Sequence, residues 1–327
     1  MPIVLVSSRS FGQVSQVGTV ILEEAGFEIH RVEAKDRPFD VAKLAEIVER
    51  VKPDALIAGA EPITRQVLSA SPNLKVVQKH GVGVDNIDLD AATDLGIAVA
   101  NAPGTNTEAV ADLAIGLMLS LLRSVVDAAV STRGGGWDRF IGHELGKLTV
   151  GVVGTGRIGR SVIERLSGFG TRVLAFDVYE DAAMAARMNV EYTSLEKLLR
   201  ESDIVTLHIP LMDETRNLIA AEQLAWMKPS ALLINIARGE LVDEAALAKH
   251  LAAGKIAGAG VDVFTTEPPQ SSPLLKLKNV IATPHIGAYT VEAMDCMAQR
   301  CAETICSIFA GQQPDNVLNP QVLQKGA

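Results

Sequence analysis

Residues 148–177 read LTVGVVGTGRIGRSVIERLSGFGTRVLAFD, and this stretch decides the fold. An apolar, β-branched run from Leu148 to Val153 enters a glycine pattern at Gly154, Gly156 and Gly159. Ile158, Val162, Ile163 and Leu166 then recur at helical spacing, and a second strand, Arg172–Phe176, ends on Asp177. Glycine permits a tight turn at the strand end and lets the backbone approach a pyrophosphate closely. The helix that follows points its unpaired N–H groups and positive dipole end at the same place. Asp177 lies 18 residues after the third glycine, close to the spacing of an acid that accepts hydrogen bonds from the adenosine ribose. A glycine turn without a ligand leaves that terminal acid unexplained, so the stretch is read as a dinucleotide site. A carboxylate suits the free 2′-hydroxyl of NAD and repels a 2′-phosphate, which makes NAD the expected cofactor.

Outward from this unit, 327 residues are enough for about two domains. A net charge of −9 argues against general nucleic-acid binding and against binding to anionic membranes, but not against a small anionic substrate held by local arginines. No apolar run reaches the length of a spanning helix. The N-terminus, Met1 to Val6, reads as a first strand rather than a signal peptide, and a cytoplasmic location is expected. Cys296, Cys301 and Cys306 sit five residues apart in one helical segment. That spacing turns them about 140° around the axis, away from a shared face, so free thiols and no metal site are expected.

Before the glycine unit, strands are expected at Ile3–Ser7, Glu28–Arg31, Ala55–Ala58, Val76–Lys79 and Ala98–Ala100, with helical stretches between them. Thr107 to Arg133 reads as one long helix, apolar on more than one face, suited to a domain junction or a homodimer contact. After Asp177 the β/α alternation continues to a last strand, Val280–Ala282. A long helix, Thr290–Gly311, then carries the chain back, and the rest reads as a tail. The expected fold class is α/β, with two doubly wound parallel-sheet domains. The central one, residues 102–290, is a Rossmann NAD-binding domain that includes the long helix 107–133. The other, residues 1–101 and 291–327, is flavodoxin-like and discontinuous.

Three segments are polar at strand ends, where ligands of open α/β sheets sit. In Asn235-Ile236-Ala237-Arg238, the arginine offers a planar fork for a carboxylate. Val261 to Pro269 carries Asp262 and Glu267, and Thr283-Pro284-His285-Ile286-Gly287 holds a histidine just after the last strand. A lone histidine is more often structural. Here a histidine, a glutamate and an arginine all fall at strand ends expected to converge on the cofactor. Oxidising a 2-hydroxy acid sends a hydride from C2 to nicotinamide and the hydroxyl proton to a base. Histidine suits that base, Glu267 would orient it, and Arg238 would hold the substrate carboxylate.

These residues resemble the D-2-hydroxyacid dehydrogenases, particularly the branch that includes short D-3-phosphoglycerate dehydrogenases. The resemblance covers nearly the whole chain. It is carried by KHGVGVDNID (79–88), NAPGTNTEAVADLAIGLML (101–119), the glycine fingerprint, HIPLMDETRNLI (208–219), NIARGELVDEAAL (235–247), GVDVFTTEPP (260–269) and TPHIGAYT (283–290). It implies that Arg238, Glu267 and His285 are the catalytic trio. It also implies that Lys79, His80 and the backbone of Gly81-Val82-Gly83 meet the substrate, with Val82 also near the cofactor. Asn106 would lie by the substrate or nicotinamide, and Arg157-Ile158 by the pyrophosphate. His208-Ile209-Pro210, Ile236-Ala237-Arg238, Asp262 facing the carboxamide, and His285 through Gly287 and Ala288 would complete the cofactor pocket. The partner expected from the apolar surface of the 107–133 helix is a second copy of the chain.

Some positions depart from the family pattern. Members using 3-phosphoglycerate often place arginines in the smaller domain, whereas the two comparable loops here are IAGAEPIT (57–64) and QKHGVG (78–83). Lys79 is the cation available there, with Glu61 expected to oppose it. Glyoxylate, hydroxypyruvate or a sulfonated analogue therefore stay open beside 3-phosphoglycerate. Asp112 stands where relatives commonly carry glutamate. The chain ends soon after Gly311, which by the resemblance implies a short form without the regulatory C-terminal domain. Two further readings within this fold are an NAD-sensing corepressor and a dehydrogenase of formate or phosphite. The compact ends weigh against the first, and residues specific to the second are not evident.

Overall fold

A computed structural model describes residues 1–33 and 40–324. The chain divides into two compact units, Met1–Asn106 with Tyr289–Ala327, and Thr107–Ala288. The cuts fall at 106/107 and 288/289, where 101/102 and 290/291 were expected.

The first unit opens with β1 (Ile3–Val6), α1 (Val17–Glu24), β2 (Glu28–Arg31), α2 (Val41–Val51), β3 (Ala55–Ala58), α3 (Arg65–Leu68), β4 (Val76–Lys79), α4 (Leu89–Asp94) and β5 (Ala98–Ala100). The five strands are parallel, in the order β2-β1-β3-β4-β5. Strands covered on both faces need apolar residues at successive positions, and β3 is buried at all four. On one face Leu44, Ile47 and Val48 of α2 pack with Leu56, Val77 and Val99. Asp40 starts α2 by accepting from Lys43 N at 2.8 Å.

The second unit begins with α5 (Thr107–Leu122) and α6 (Val125–Arg133). These replace the single helix expected over 107–133, and the two axes differ by 65°. The break has a tertiary cause: His143 N donates to the Leu122 carbonyl at 3.1 Å, and Ser124 takes a left-handed φ of 48°. The 137–143 segment thus folds back and ends α5. There follow β6 (Thr149–Val153), α7 (Arg157–Ser167), β7 (Arg172–Phe176), α8 (Ala182–Met188), β8 (Val190–Tyr192), α9 (Leu195–Glu201), β9 (Ile204–Leu207), α10 (Ala221–Trp226), β10 (Leu232–Asn235), α11 (Glu244–Ala252), β11 (Gly258–Val261) and β12 (Val280–Ala282). The seven strands are parallel, in the order β12-β11-β10-β9-β6-β7-β8. The chain order reverses between β6 and β9, the switch point where ligands of such sheets sit.

Alternate strand residues supply two cores, as the period of two requires. Val153, Leu174, Val205, Leu207 and Leu233 meet Leu198, Leu224, Leu247 and Leu251 on one face. Val150, Val152, Val173, Ile204, Leu232 and Ile234 meet Ala114, Leu117 and Met118 of α5 and Val162, Ile163 and Leu166 of α7 on the other. Arg165 ties these two helices together, bonding Asp112 at 2.6 Å and Glu108 at 2.8 Å. Asp112 is thus one half of a helix-to-helix ion pair.

The chain returns to the first unit through α12 (Val291–Phe309), capped by the Thr290 hydroxyl, which accepts from Ala293 N at 3.2 Å. Its buried face, Ala293, Met294, Met297, Ala298, Cys301, Ala302, Ile305 and Ile308, follows helical spacing and packs on α1 and β4. The residues read as a tail are instead built in through residue 324. Leu318 N donates to Val99 O at 2.8 Å, and Val317 bridges Ala100 in antiparallel fashion along the free edge of β5. Buried Asn319 accepts from Val99 N at 2.8 Å and donates to Ile97 O at 2.9 Å and Thr93 Oγ1 at 3.1 Å.

Among the described residues no single helix is long and apolar enough to cross a membrane, although α5 and α6 pass together as a bent pair. Nor does any group of three or more His, Cys, Asp or Glu side chains among them form a metal-binding set.

Candidate active site

The glycine turn joins β6 to α7. Gly154 has φ +95°, and a Cβ there would lie 2.7 Å from both His208 O and Ile209 Cγ2. Gly159 sits so close under the turn that a Cβ would strike the Gly154 carbonyl. Gly156 is the N-cap of α7, in extended conformation with open space around it, and no side chain caps the helix. The first-turn amides of Arg157, Ile158 and Gly159 therefore remain for an anion. That uncapped, open helix start fits a dinucleotide pyrophosphate. His208, Ile209 and Pro210 follow β9 directly; His208 bonds Thr206 Oγ1 through Nε2 at 2.9 Å.

Asp177 stands at the end of β7. Its Oδ2 accepts from Thr155 N at 2.6 Å and Thr155 Oγ1 at 3.1 Å, and its Oδ1 from Tyr179 N at 3.0 Å. Burial works to raise this carboxyl, but the donors from Thr155, Tyr179 and Val178 together hold it below its usual range. An ionised carboxylate has about four acceptor positions, so positions remain for ribose hydroxyls.

Glu267 and His285 meet at the far side of the same sheet edge. His285 Nδ1 lies 2.8 Å from Glu267 Oε2, while Glu267 Oε1 accepts from Phe264 N at 3.1 Å. Burial raises the Glu267 carboxyl, and the His285 hydrogen bond and charge, the Phe264 N–H and the Arg238 charge more than offset it, leaving a net lowering. Both side chains keep a solvent-facing part, at 47% and 33% exposure for His285 and Glu267. Arg238 directly follows the Ile236-Ala237 pair after β10; its Nη1 donates to Ala237 O at 2.7 Å, and its own carbonyl accepts from Asn235 Nδ2 at 2.8 Å.

Asp262 is the residue expected to face the carboxamide. It is buried, accepting from Thr283 Oγ1 at 2.6 Å, Ile286 N at 2.8 Å and Gly287 N at 2.8 Å. Asp262 thereby shapes the loop on which His285 stands with φ 53°. Ala288 closes the unit after Gly287.

The remaining expected residues lie in the first unit. Ala102 N donates to Gly81 O at 2.9 Å and Asn101 Nδ2 to Val82 O at 2.7 Å. These bonds fix the 81–83 loop by its carbonyls. The N–H groups of Gly81, Val82 and Gly83 find no acceptor among the described residues. Lys79 is buried rather than presented, with Nζ donating to Gly59 O at 2.5 Å and Asn86 Oδ1 at 2.7 Å. His80 is also buried, its Nδ1 2.8 Å from Ser10 Oγ and its ring edge-to-face with Phe11. Desolvation, then the Lys79 charge, pushes its imidazole down to about 4. Glu61 turns inward, accepting from Gly59 N at 2.8 Å and from the Ser7 hydroxyl. Asn106 keeps a buried Oδ1 without a hydrogen-bond partner.

Sequence reasoning passed over Arg9, an exposed cation in the loop after β1. Its signal in the sequence is its place just after the end of β1. Thr155 and Tyr192 were missed for a different reason: their hydroxyls meet only in the folded unit, at 2.9 Å.

In sequence and in fold the chain is similar to known proteins. The profile of the "D-isomer specific 2-hydroxyacid dehydrogenase, NAD binding domain" matches residues 115–287. A D-3-phosphoglycerate dehydrogenase of Methanocaldococcus jannaschii is 43% identical over 286 residues, covering 86% of this chain and 55% of the relative. This chain thus spans about half the length of that relative. A glyoxylate reductase of Korarchaeum cryptofilum is 44% identical, covering 85% of this chain and 86% of the relative. The solved structure of a D-lactate dehydrogenase from Aquifex aeolicus, complexed with NAD and lactic acid, superposes with a TM-score of 0.85 at 29% identity, covering 97% of this chain and 99% of the other.

Proposed function

Because the chain belongs to the D-isomer specific 2-hydroxyacid dehydrogenase family, we propose that it transfers a hydride between NAD and C2 of a D-2-hydroxy or 2-oxo acid. The observation that carries this reading is the 2.8 Å bond between His285 Nδ1 and Glu267 Oε2. With Nδ1–H donated to the carboxylate, Nε2 is left to take or give a proton. In the oxidative direction the C2–O–H proton passes to His285 Nε2 while the C2 hydride leaves. Two electrons and one proton go with the hydride, and a C=O bond forms. Bound NAD supplies the hydride acceptor; its fit rests on the uncapped α7 start and on Asp177. Arg238 holds the substrate carboxylate through its planar fork of donors. Asp177 favours NAD over NADP.

The leading substrate reading is phosphoglycerate dehydrogenase-like, with Arg9 as the cation offered to a phosphate. A glyoxylate or hydroxypyruvate reductase is the second reading. It is favoured by the burial of Lys79 against Gly59 and Asn86, which removes one expected phosphate contact. An NADH-oxidation panel of 3-phosphohydroxypyruvate, hydroxypyruvate, glyoxylate, pyruvate and a sulfonated analogue separates them. A phosphate-reading enzyme turns over the first with the highest kcat/KM, and Arg9→Ser raises KM for it alone. No turnover of any panel member, despite NADH binding, rejects the dehydrogenase reading. We also propose that the protein works as a homodimer, through apolar side chains that α6 and residues 137–141 leave exposed.

A further inference from the structure

Asp181 N–H, Tyr192 O–H and Thr155 O–H form a chain that ends on the Asp177 carboxylate. Asp181 N lies 3.3 Å from Tyr192 Oη, Tyr192 Oη 2.9 Å from Thr155 Oγ1, and Thr155 Oγ1 3.1 Å from Asp177 Oδ2. Its direction follows from the atoms. An amide can only donate and a carboxylate only accept, and each hydroxyl has one proton. Tyr192 therefore accepts from Asp181 and donates to Thr155, which donates to Asp177. Arg160 secures both ends of this arrangement: Nε donates to Thr155 O at 2.9 Å, and its guanidinium pairs with Asp181 at 3.0 Å. Thr155 is almost wholly buried, so water does not readily replace its partners.

We propose that Tyr192, acting through Thr155, is a positioning residue that locks the Asp177 carboxylate in the orientation that accepts the adenosine ribose and excludes a 2′-phosphate. The proposal rests on the reading of Asp177 as the ribose acceptor. Oδ2 holds two donors from Thr155 and Oδ1 holds Tyr179 N. The carboxylate thus cannot rotate without breaking bonds. Without the chain it gains freedom to swing from a 2′-phosphate, and it loses the fixed acceptor geometry for two ribose hydroxyls. The Arg160 guanidinium, held by Asp181, is not turned to a phosphate.

Titration calorimetry of NADH and NADPH binding tests this without turnover. Tyr192→Phe keeps the ring and removes the hydroxyl. It is expected to weaken NADH binding about fivefold, the scale of one lost hydrogen bond. It should narrow the NADH-to-NADPH preference in binding. Thr155→Val should do the same or more, Thr155→Ser should restore the parent preference, and the Tyr192→Phe/Thr155→Val pair should add little beyond Thr155→Val alone. An unchanged preference in Tyr192→Phe, whether or not its melting temperature falls, overturns the proposal. Asp177→Ala keeps the two failures apart. If it leaves NADH affinity and preference unaltered, the ribose reading itself is wrong; if it changes both while Tyr192→Phe changes neither, only the positioning role is lost.

Discussion

At the scale of single residues, the acid–base pair makes the sharpest prediction. His285→Ala removes the proton carrier and should lower kcat by about two to four orders of magnitude, the usual range for a lost acid–base group. Steady-state assay with the best panel substrate measures this; turnover within threefold of the parent would take His285 out of the chemistry. A second residue links the site's burial to pH. His80 is held neutral, its folded-state value about 4 against an ordinary 6.5. Below 6.5 the unfolded chain binds a proton that the folded chain refuses. Stability is therefore full above that value and falls as pH drops toward 4, by about 3 kcal/mol. Melting temperature followed from pH 7.5 to 4.5 should fall less steeply in His80→Phe, which has no proton to gain; parallel slopes would show that His80 does not govern this window. The residue types at His285, Glu267 and Arg238 are legible in the sequence because each follows the end of a strand. The fates of Lys79 and Glu61 were not, since the partners that draw them inward, Gly59, Asn86 and Ser7, are set by how three strand ends meet.

At the scale of elements, strands are legible because β/α units buried on both faces are written as apolar runs, and β2, β3, β4, β5, β7 and β12 begin and end at the expected residues. The break between α5 and α6 was not legible. Residues 119–128 contain neither proline nor glycine, and the interruption comes from the 137–143 segment reaching back to the Leu122 carbonyl. A Cβ on Gly142 would strike that same carbonyl oxygen. Gly142→Ala should therefore destabilise the second unit by about 1–3 kcal/mol, the range for an overpacked site. Ser124→Gly should act in the opposite sense, by about 0.5–1 kcal/mol, because a left-handed φ of 48° carries no side-chain penalty in glycine. Urea denaturation of both variants tests the pair of signs. If Gly142→Ala is neutral, the fold-back segment does not set the break.

At the scale of the whole molecule, the discontinuous layout followed from the sequence once the last long helix was recognised, yet the final segment was underestimated. Asn316 and Asn319 are polar and looked like tail residues, but their buried amides answer the free backbone groups along β5. A similar polar-and-apolar logic points outward on the second unit. Helix α6 has no buried residue, and Val125, Val126 and Val130 on it are exposed together with Trp137, Phe140 and Ile141 in the following segment. Monomeric proteins rarely leave such a concentration of large apolar side chains in water. A second copy is the partner that such a surface can recruit by itself, through a two-fold, self-complementary contact. Light scattering coupled to size exclusion should therefore give twice the chain mass of 34.7 kDa. Placing charges at the centre of the surface, as in a Val130→Asp/Ile141→Asp double variant, should shift the population toward one chain mass without unfolding either unit, since both positions are exposed. A parent that elutes as a monomer at micromolar concentration, or a double variant that stays dimeric, would remove α6 and the 137–141 segment from the interface.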